Sequence, residues 1–240
     1  MALFAIADTH LSLTTNKSMT VFSGWDDYVS RLEDHWRRLI GPEDTVVIAG
    51  DISWGMSLEQ AREDFAFLHS LPGKKLIFKG NHDYWWTTRR KMDQFFVENG
   101  LDSLRIIHND AAVVDDRFAV CGSRGWFFDA EEDADKLVLL REAGRLRMSI
   151  RAAKETGKEP VVFLHYPPLY ADQVCPEIMD VLVDEKIAHC YYGHVHSNGI
   201  RLAVEGNVNG IEFRLISADA LRFCPIPVFG SSNEKSTVNE

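Results

Sequence analysis

The chain has 240 residues, of which 45% are hydrophobic and 26% are charged, as is typical of a globular protein with a sizeable core. Its formal net charge of −10 argues against a broad basic surface for nucleic acid. A small anionic substrate is compatible with this charge, because bound divalent cations reverse the local field.

The predicted elements alternate along the chain. Short apolar runs predict strands at 2–7, 45–49, 75–79, 104–108, 111–114, 118–122, 161–164 and 188–192. Apolar residues at helical spacing predict helices at 25–40, 88–98, 131–155 and 176–185, and a capping-box pattern at 57–60 predicts another helix after it. Two runs at 200–205 and 211–217 predict a hairpin, since glycine and asparagine lie between them. This order favours α/β architecture, with one domain at 1–229 and a polar, disordered tail at 230–240.

The cellular location is predicted from what the chain lacks. No apolar run reaches transmembrane length, and the first residues show no secretion signal. The cysteines are far apart, which favours reduced and mostly buried thiols: Cys121, Cys175, Cys190 and Cys224. We therefore expect a cytoplasmic protein without membrane association, whose oligomeric state the pattern leaves open.

Five of the predicted strands end in side chains that bind metals or move protons. A single polar residue at a strand end is usually a satisfied surface group, but five such ends would require five independent coincidences. Because buried strands deliver side chains to one edge of a sheet, we expect these ends to converge. The residues are Asp8 and His10, Asp51, Asn81 with His82 and Asp83, His165, and His194 with His196.

The residue types at these ends suit two metal ions. Asp8 and His10 lie two positions apart, as do His194 and His196, so in extended backbone each pair faces one side. Asp51 follows a glycine and is free to place one oxygen on each of two ions. With Asn81 and His165, the set favours Mn, Fe, Zn, Co or Ni rather than Ca or structural zinc. Two such ions, roughly 3.5–4 Å apart, clamp a phosphoryl group and acidify a bridging water.

His82 is left over from this set, because its neighbour Asn81 already provides a ligand. It suits a general acid that protonates the leaving oxygen, or a cation that stabilises charge on the phosphoryl oxygens. Asp83 is placed to accept a hydrogen bond from His82 and to fix its tautomer.

The motifs resemble the five-motif signature of the calcineurin-like metallophosphoesterase superfamily. They occur in the family's order and span residues 8–196: Asp8-Thr9-His10, Gly50-Asp51, Gly80-Asn81-His82-Asp83, His165 and Gly193-His194-Val195-His196. The segments at 50–54, 81–86 and 122–126 are similar to those of a group of small bacterial predicted phosphohydrolases, a match that names no substrate.

The resemblance implies a two-sheet β-sandwich flanked by helices, in four α/β/β/α layers, with the site at the carboxyl ends of the strands. It implies a catalytic domain that hydrolyses a phosphate mono- or diester by in-line attack of a metal-bound hydroxide, with Mn or Fe favoured. It also implies His82 as the catalytic histidine, assisted by Asp83. The first ion would take Asp8, His10, Asp51 and His196, and the second would take Asp51, Asn81, His165 and His194.

Alternatives stay open at this point. A nuclease is the alternative enzyme, although the acidic excess argues against it. A non-catalytic scaffold is the alternative from another class of protein, although the complete set of motifs argues against it. Arg124 in its Ser-Arg-Gly loop is either a ligand of the substrate phosphate or a structural donor. Six aromatic residues near the motifs either face the organic part of a small phosphorylated substrate or pack beneath the loops: Trp54, Tyr84, Trp85, Trp86, Trp126 and Tyr166.

Overall fold

The computed structural model describes residues 1–15, 17–126 and 133–229. The strands are β1 (Leu3–Ile6), β2 (Thr45–Ile48), β3 (Lys74–Ile77), β4 (Leu104–Ile106), β5 (Ala112–Val113), β6 (Phe118–Ser123), β7 (Glu159–Leu164), β8 (Leu169–Tyr170), β9 (Gln173–Val174), β10 (His189–Tyr192), β11 (Gly206–Val208), β12 (Ile211–Leu215) and β13 (Ile226–Pro227). The α-helices are α1 (Tyr28–Leu39), α2 (Arg62–Ser70), α3 (Arg89–Glu98), α4 (Asp133–Glu155) and α5 (Pro176–Asp184).

The strands form two mixed sheets and one small hairpin. The first sheet has the order β13-β1-β2-β3-β4, in which β1 to β4 are parallel and β13 is antiparallel to β1. The second has the order β11-β12-β10-β7-β6-β5, with four parallel central strands and an antiparallel strand at each edge. Strands β8 and β9 form the small hairpin, and Tyr170 of β8 also makes an isolated antiparallel bridge to Ala203.

The alternation of side chains along the strands produces the layers. Phe4 and Ile6 face one side of the first sheet and pack in a core with residues of α1 to α3. Ala5 and Ala7 face the other side and share a core with Val161 of the second sheet. The outer face of the second sheet packs against α4 and α5. The predicted α/β sandwich with two inner sheets and outer helices is therefore confirmed.

Several boundaries differ from the prediction. The first helix begins at Tyr28 instead of residue 25. The capping-box bond is present, since Ser57 Oγ accepts from the Gln60 N–H at 3.3 Å, but the segment that follows Ser57 forms a turn and α2 begins only at Arg62. The predicted strand at 200–205 is wrong: Ser197–Leu202 is a 3-10 helix, and the hairpin pairs β11 with β12. Residues 131–132 and the predicted tail at 230–240 lie outside the described residues. In the described chain, no helix combines the length and apolarity that crossing a bilayer requires.

Candidate metal centre

The five polar strand ends meet where the carboxyl edges of the two sheets come together. Strands β1, β2 and β3 of the first sheet lead to the first three motifs, and β7 and β10 of the second lead to the other two. The sheets are joined at this edge, since the His194 backbone N–H donates to Asp8 Oδ2 at 2.9 Å. Parallel strands explain the convergence, because all their carboxyl ends lie on one side.

The backbone reverses sharply at the strand ends. Asp8, His10, Asp51 and His194 have φ angles of 59°, 43°, 51° and 70°, in the left-handed region that non-glycine residues rarely adopt. The turns after β1 and β2 support each other, because the His10 N–H donates to the Asp51 carbonyl at 2.9 Å. Strained residues held by their surroundings cluster at functional sites, where they aim side chains that regular strands would point elsewhere.

The first group of possible ligands comprises Asp8, His10 and His196, whose ligand atoms lie within 4.8 Å of one another. Asp8 Oδ1 is 3.8 Å from His196 Nε2. Among the described residues, both atoms are buried and neither has a hydrogen-bond partner. Buried polar atoms rarely stay unsatisfied, so a cation between these side chains fits the donors that the chain presents.

The second group comprises Asp51, His165 and His194. His165 Nε2 lies 3.5 Å from Asp51 Oδ1 and 2.7 Å from Asn81 Oδ1, which brings the predicted amide ligand into the same group. The other oxygen of Asp51, Oδ2, is 3.7 Å from His10 Nε2. The Asp51 carboxylate thus lies between the two groups, with one oxygen toward each.

Burial sets the charge state of these side chains. It lowers the pKa of His10 and of His194 to about 3, so both imidazoles are neutral at pH 7, the form that binds metals. Burial also raises the pKa of Asp8. Burial disfavours the charged form of His196, but the carboxylates of Asp8 and Asp219 outweigh it and raise its pKa to about 9. A bound cation would reverse that preference and release the proton of His196.

His82 lies at the rim of the cluster, with its side chain 33% exposed. Its backbone N–H donates to Asp51 Oδ1 at 2.7 Å, and its ring Nδ1 is 2.7 Å from Asp51 Oδ2. His82 therefore contacts the carboxylate that joins both groups, and it forms a third possible ligand group with His10 and Asp51.

Asp83 is buried beneath the loops and holds them together. Its carboxylate accepts the backbone N–H groups of Gly80, Asp51 and Ile52 at 2.7, 2.9 and 2.8 Å, and the indole N–H of Trp85 at 3.0 Å. Among the described residues, no hydrogen bond joins Asp83 to His82, so the expected bond is not formed. Burial and the nearby Asp51 raise the pKa of Asp83 to about 6.

Comparison with known proteins agrees with this arrangement. Residues 1–198 match the sequence profile of the calcineurin-like phosphoesterases. The chain belongs to this family. No curated protein sequence shows a significant match to this phosphoesterase.

Solved structures share its fold at low sequence identity. A protein of unknown function from Aquifex aeolicus is 16% identical with a TM-score of 0.56, and the match covers 94% of this chain and 95% of that one. A phosphopantetheinyl hydrolase from Mycobacterium tuberculosis is 15% identical with a TM-score of 0.56, and the match covers 98% of both chains. At such identities the likeness describes the fold alone.

Arg124 of the phosphoesterase follows β6 and contacts the segment of His165 through its backbone. Its carbonyl accepts the N–H groups of His165 and Tyr166 at 3.2 and 2.9 Å. Its guanidinium carbon is 4.8 Å from the ring centroid of Trp126, and its buried Nε has no hydrogen-bond partner among the described residues. The side chain lines a small cavity of about 20 Å³ together with Lys79 and two residues of α4, Glu142 and Arg145.

Asp219 is a site residue that the motifs do not include. Its Oδ1 lies 2.8 Å from Nδ1 of His196, and its Oδ2 accepts the Ser197 N–H at 2.9 Å. The signal for it is present in the sequence, since a run of alternating apolar and charged residues at 211–216 ends three residues before this aspartate, as the other site strands end before theirs.

The aromatic residues near the motifs lie at different depths. Trp85 is 2% exposed and packs beneath the loops against Phe65, with ring centroids 4.8 Å apart. Trp54 lies over the site instead, with its ring 5.0 Å from that of His10 and 4.6 Å from that of His82. Tyr166 flanks the opposite side, 4.4 Å from the ring of His194.

Proposed function

We propose that this calcineurin-like phosphoesterase hydrolyses a phosphate mono- or diester at a dinuclear centre of divalent transition ions, within one catalytic domain at 1–229. The observation that carries the proposal is the position of Asp51, whose two oxygens face two separate groups of imidazole ligands. A carboxylate that reaches two ligand groups is what a pair of close ions requires.

The proposed ligands are those that the family resemblance implies. One ion would take Asp8, His10, Asp51 and His196, and the other would take Asp51, Asn81, His165 and His194. Nitrogen and oxygen donors in this mixture suit Mn or Fe, the metals we favour. When bound, such ions supply Lewis acidity that activates water and neutralises charge on a phosphoryl group.

His82 is proposed to hold the proton that the leaving oxygen needs. The pKa of Asp51 is lowered by the nearby His165, His82 and His10 despite its burial, so its carboxylate only accepts hydrogen bonds. Its 2.7 Å contact therefore supports a proton on His82 Nδ1, and Nε2 is the nitrogen proposed to carry the proton that moves. Asp83 contributes by fixing the turn on which His82 stands, because its carboxylate anchors the backbone at Gly80 and Asp51.

Charge and location are consistent with a small phosphorylated substrate. Arg124 shares a small cavity with Lys79 and with the ion pair of Glu142 and Arg145, and we propose that Arg124 helps to attract the anion. The free thiols of the chain support the proposed cytoplasmic location. The name of the similar phosphopantetheinyl hydrolase is consistent with hydrolysis of a phosphate ester.

The test compares p-nitrophenyl phosphate with bis-p-nitrophenyl phosphate, with Mn²⁺ added and with chelator. Turnover that chelator abolishes is expected, and preference for the bis compound would identify a phosphodiesterase, whereas preference for the mono compound would identify a phosphatase. Fewer than one ion per chain after purification without chelator, not restored by Mn²⁺, would contradict the proposal and favour a scaffold. Chelator-sensitive cleavage of DNA or RNA at a higher rate than either small ester would favour the nuclease.

A further inference from the structure

A cavity of about 260 Å³ opens beside the ligand cluster. One wall consists of the imidazoles of His10, His82 and His196. The rest consists mainly of Met19, Phe22, Trp25 and Trp54, which come from the loop after β1 and the loop after β2. The cavity therefore begins at the side chain that we propose to protonate the leaving oxygen.

The outer wall of this cavity presents an apolar surface to a ligand. Met19 and Trp25 are 6% and 1% exposed. Trp54 has its polar atom occupied, because Nε1 donates to Met19 Sδ at 3.4 Å. Lys17 lies 4.0 Å from the Trp54 ring centroid, but it lines the neighbouring groove rather than this cavity. Among the described residues, the cavity is thus lined by three imidazoles and Ser197 on one side and by apolar surface on the others.

The wall is also preorganised. The ring of Trp25 lies 5.8 Å from that of His10 and 5.9 Å from that of His196, and the ring of Trp54 stacks on His10. Phe22 is the exception, since it is 50% exposed at the rim. A ligand would therefore displace water from a formed apolar surface rather than order a loose one, and preorganisation favours affinity.

We propose that this cavity binds an apolar alkyl or aryl group esterified to the substrate phosphate. The inference rests on the proposed function, because the phosphate would lie on the ligand cluster and the organic group beyond His82. A volume of about 260 Å³ is just below the roughly 300–1,000 Å³ of ordinary ligand pockets, so it suits one ring or a short chain. A polar leaving group such as glycerol would leave most of its hydroxyl groups without partners against Met19, Trp25 and Trp54.

The experiment measures binding rather than turnover. The Mn²⁺-loaded protein is titrated with methyl-, ethyl-, propyl- and butylphosphonate, which carry the same charged head and cannot be hydrolysed as esters. Calorimetry gives Kd, and the change in fluorescence of the six tryptophans, which include Trp25 and Trp54, gives a second measure of binding. We expect Kd to fall roughly three- to fourfold for each added methylene, since each is transferred from water to an apolar wall. A Kd that does not change along the series would overturn the inference.

Two variants locate the effect. Phe22→Ser removes apolar surface at the rim, and Val21→Ser is the matched control, because Val21 is 78% exposed and does not line the cavity. We expect the dependence on chain length to weaken in Phe22→Ser and to persist in Val21→Ser. If Kd depends equally on alkyl length in both variants, the alkyl group lies elsewhere, and this result would also overturn the inference. Absence of turnover on the p-nitrophenyl esters would contradict only the proposed function, since the phosphonate series is read without catalysis.

Discussion

The Nδ1 atom of His196 lies 2.8 Å from Oδ1 of Asp219, in the turn that follows β12. This contact fixes which ring nitrogen of His196 faces the ligand cluster, because Nδ1 is engaged and Nε2 is directed toward Asp8. Asp219 is itself held by the N–H groups of Ser197 and Ala220 at 2.9 and 3.0 Å. The orientation of one proposed ligand therefore depends on a residue outside the motifs.

Removing the charge of Asp219 is expected to weaken metal binding. Carboxylates that orient a ligating histidine typically contribute about 10- to 100-fold in metal affinity, so we expect a loss of this size in Asp219→Asn. Competition with a metallochromic chelator measures the change. Asp180→Asn is the control, because it removes the same charge from an exposed position of α5. Equal affinities in the two variants would contradict the role of Asp219.

His82 and Asp51 are expected to separate catalysis from metal binding. His82→Ala should keep both ions and lower kcat by about 10²- to 10⁴-fold, the usual contribution of general acid–base catalysis. Asp51→Ala should lose metal, because its carboxylate faces both ligand groups. Elemental analysis of the purified variants and turnover of p-nitrophenyl esters measure the two effects. Unchanged turnover in His82→Ala would reject its assignment.

Asp83 is expected to contribute to the stability of the fold rather than directly to catalysis. Asp83→Ala leaves five donors from Gly80, Asp51, Ile52, Ser53 and Trp85 without their acceptor. We therefore expect a loss on the order of 3 kcal/mol in the free energy of unfolding, with less bound metal. Urea denaturation and elemental analysis measure both. Asp115→Ala is the control, since Asp115 caps an exposed turn through the Arg117 and Phe118 N–H groups. Full stability and metal content with lost turnover would instead support a direct role in tuning His82.

Much of the fold was predictable because the parallel strands are continuous apolar runs between amphipathic helices. Strand β13 was not, since Ile226–Pro227 is only two residues long and is defined by its pairing with β1. The segment at 200–205 was misread as a strand because its local pattern competes with tertiary contacts. Asp219 holds the Ser197 N–H, and the chain then turns as a 3-10 helix.

The candidate site, like the fold, was predictable where the local sequence decides the structure and not where packing between loops decides it. The convergence of the motifs follows from the direction of parallel strands, so the sequence order suffices to predict it. The partners of Asp83 do not follow from sequence proximity. Its neighbour His82 turns toward Asp51, and Asp83 turns inward to backbone N–H groups that β2 brings beside it. Such contacts depend on how two loops pack and have no signature in either loop alone.

Gly80 is expected to be required for its small size. A Cβ atom there would lie 2.8 Å from Asp51 Cγ and closer still to other atoms of Asp51. Gly80→Ala should therefore displace Asp51 and reduce the metal content measured by elemental analysis. Gly144→Ala is the control, because a Cβ atom there meets nothing within 4 Å in the middle of α4. It should keep its metal and gain roughly 0.5–1 kcal/mol from helix propensity. Full metal content in Gly80→Ala would show that Asp51 tolerates the displacement.

Lys75, which lies at the end of β3 opposite to the metal centre, is expected to make the stability of the fold depend on pH. Its side chain is 0% exposed, its Nζ donates to the Leu71 carbonyl, and burial lowers its pKa from 10.5 to about 8. Between these values the unfolded chain binds more protons than the folded one, so the Lys75 contribution to stability rises with pH. From pH 7 to pH 9.5 this contribution should increase by about 2 kcal/mol.

The Lys75 effect is isolated by comparison with Lys75→Met. Burial also raises the pKa of Cys121 and of Tyr192, which changes the pH dependence of stability, but both groups are common to the two proteins. The free energy of unfolding of wild type minus that of Lys75→Met should therefore increase by about 2 kcal/mol between pH 7 and pH 9.5. Lys74→Met, at the exposed neighbouring position of β3, should show no such shift in urea denaturation. A constant difference for Lys75→Met would mean that Lys75 stays charged in the folded protein throughout this range, with Leu71 and Ser103 stabilising its ammonium group.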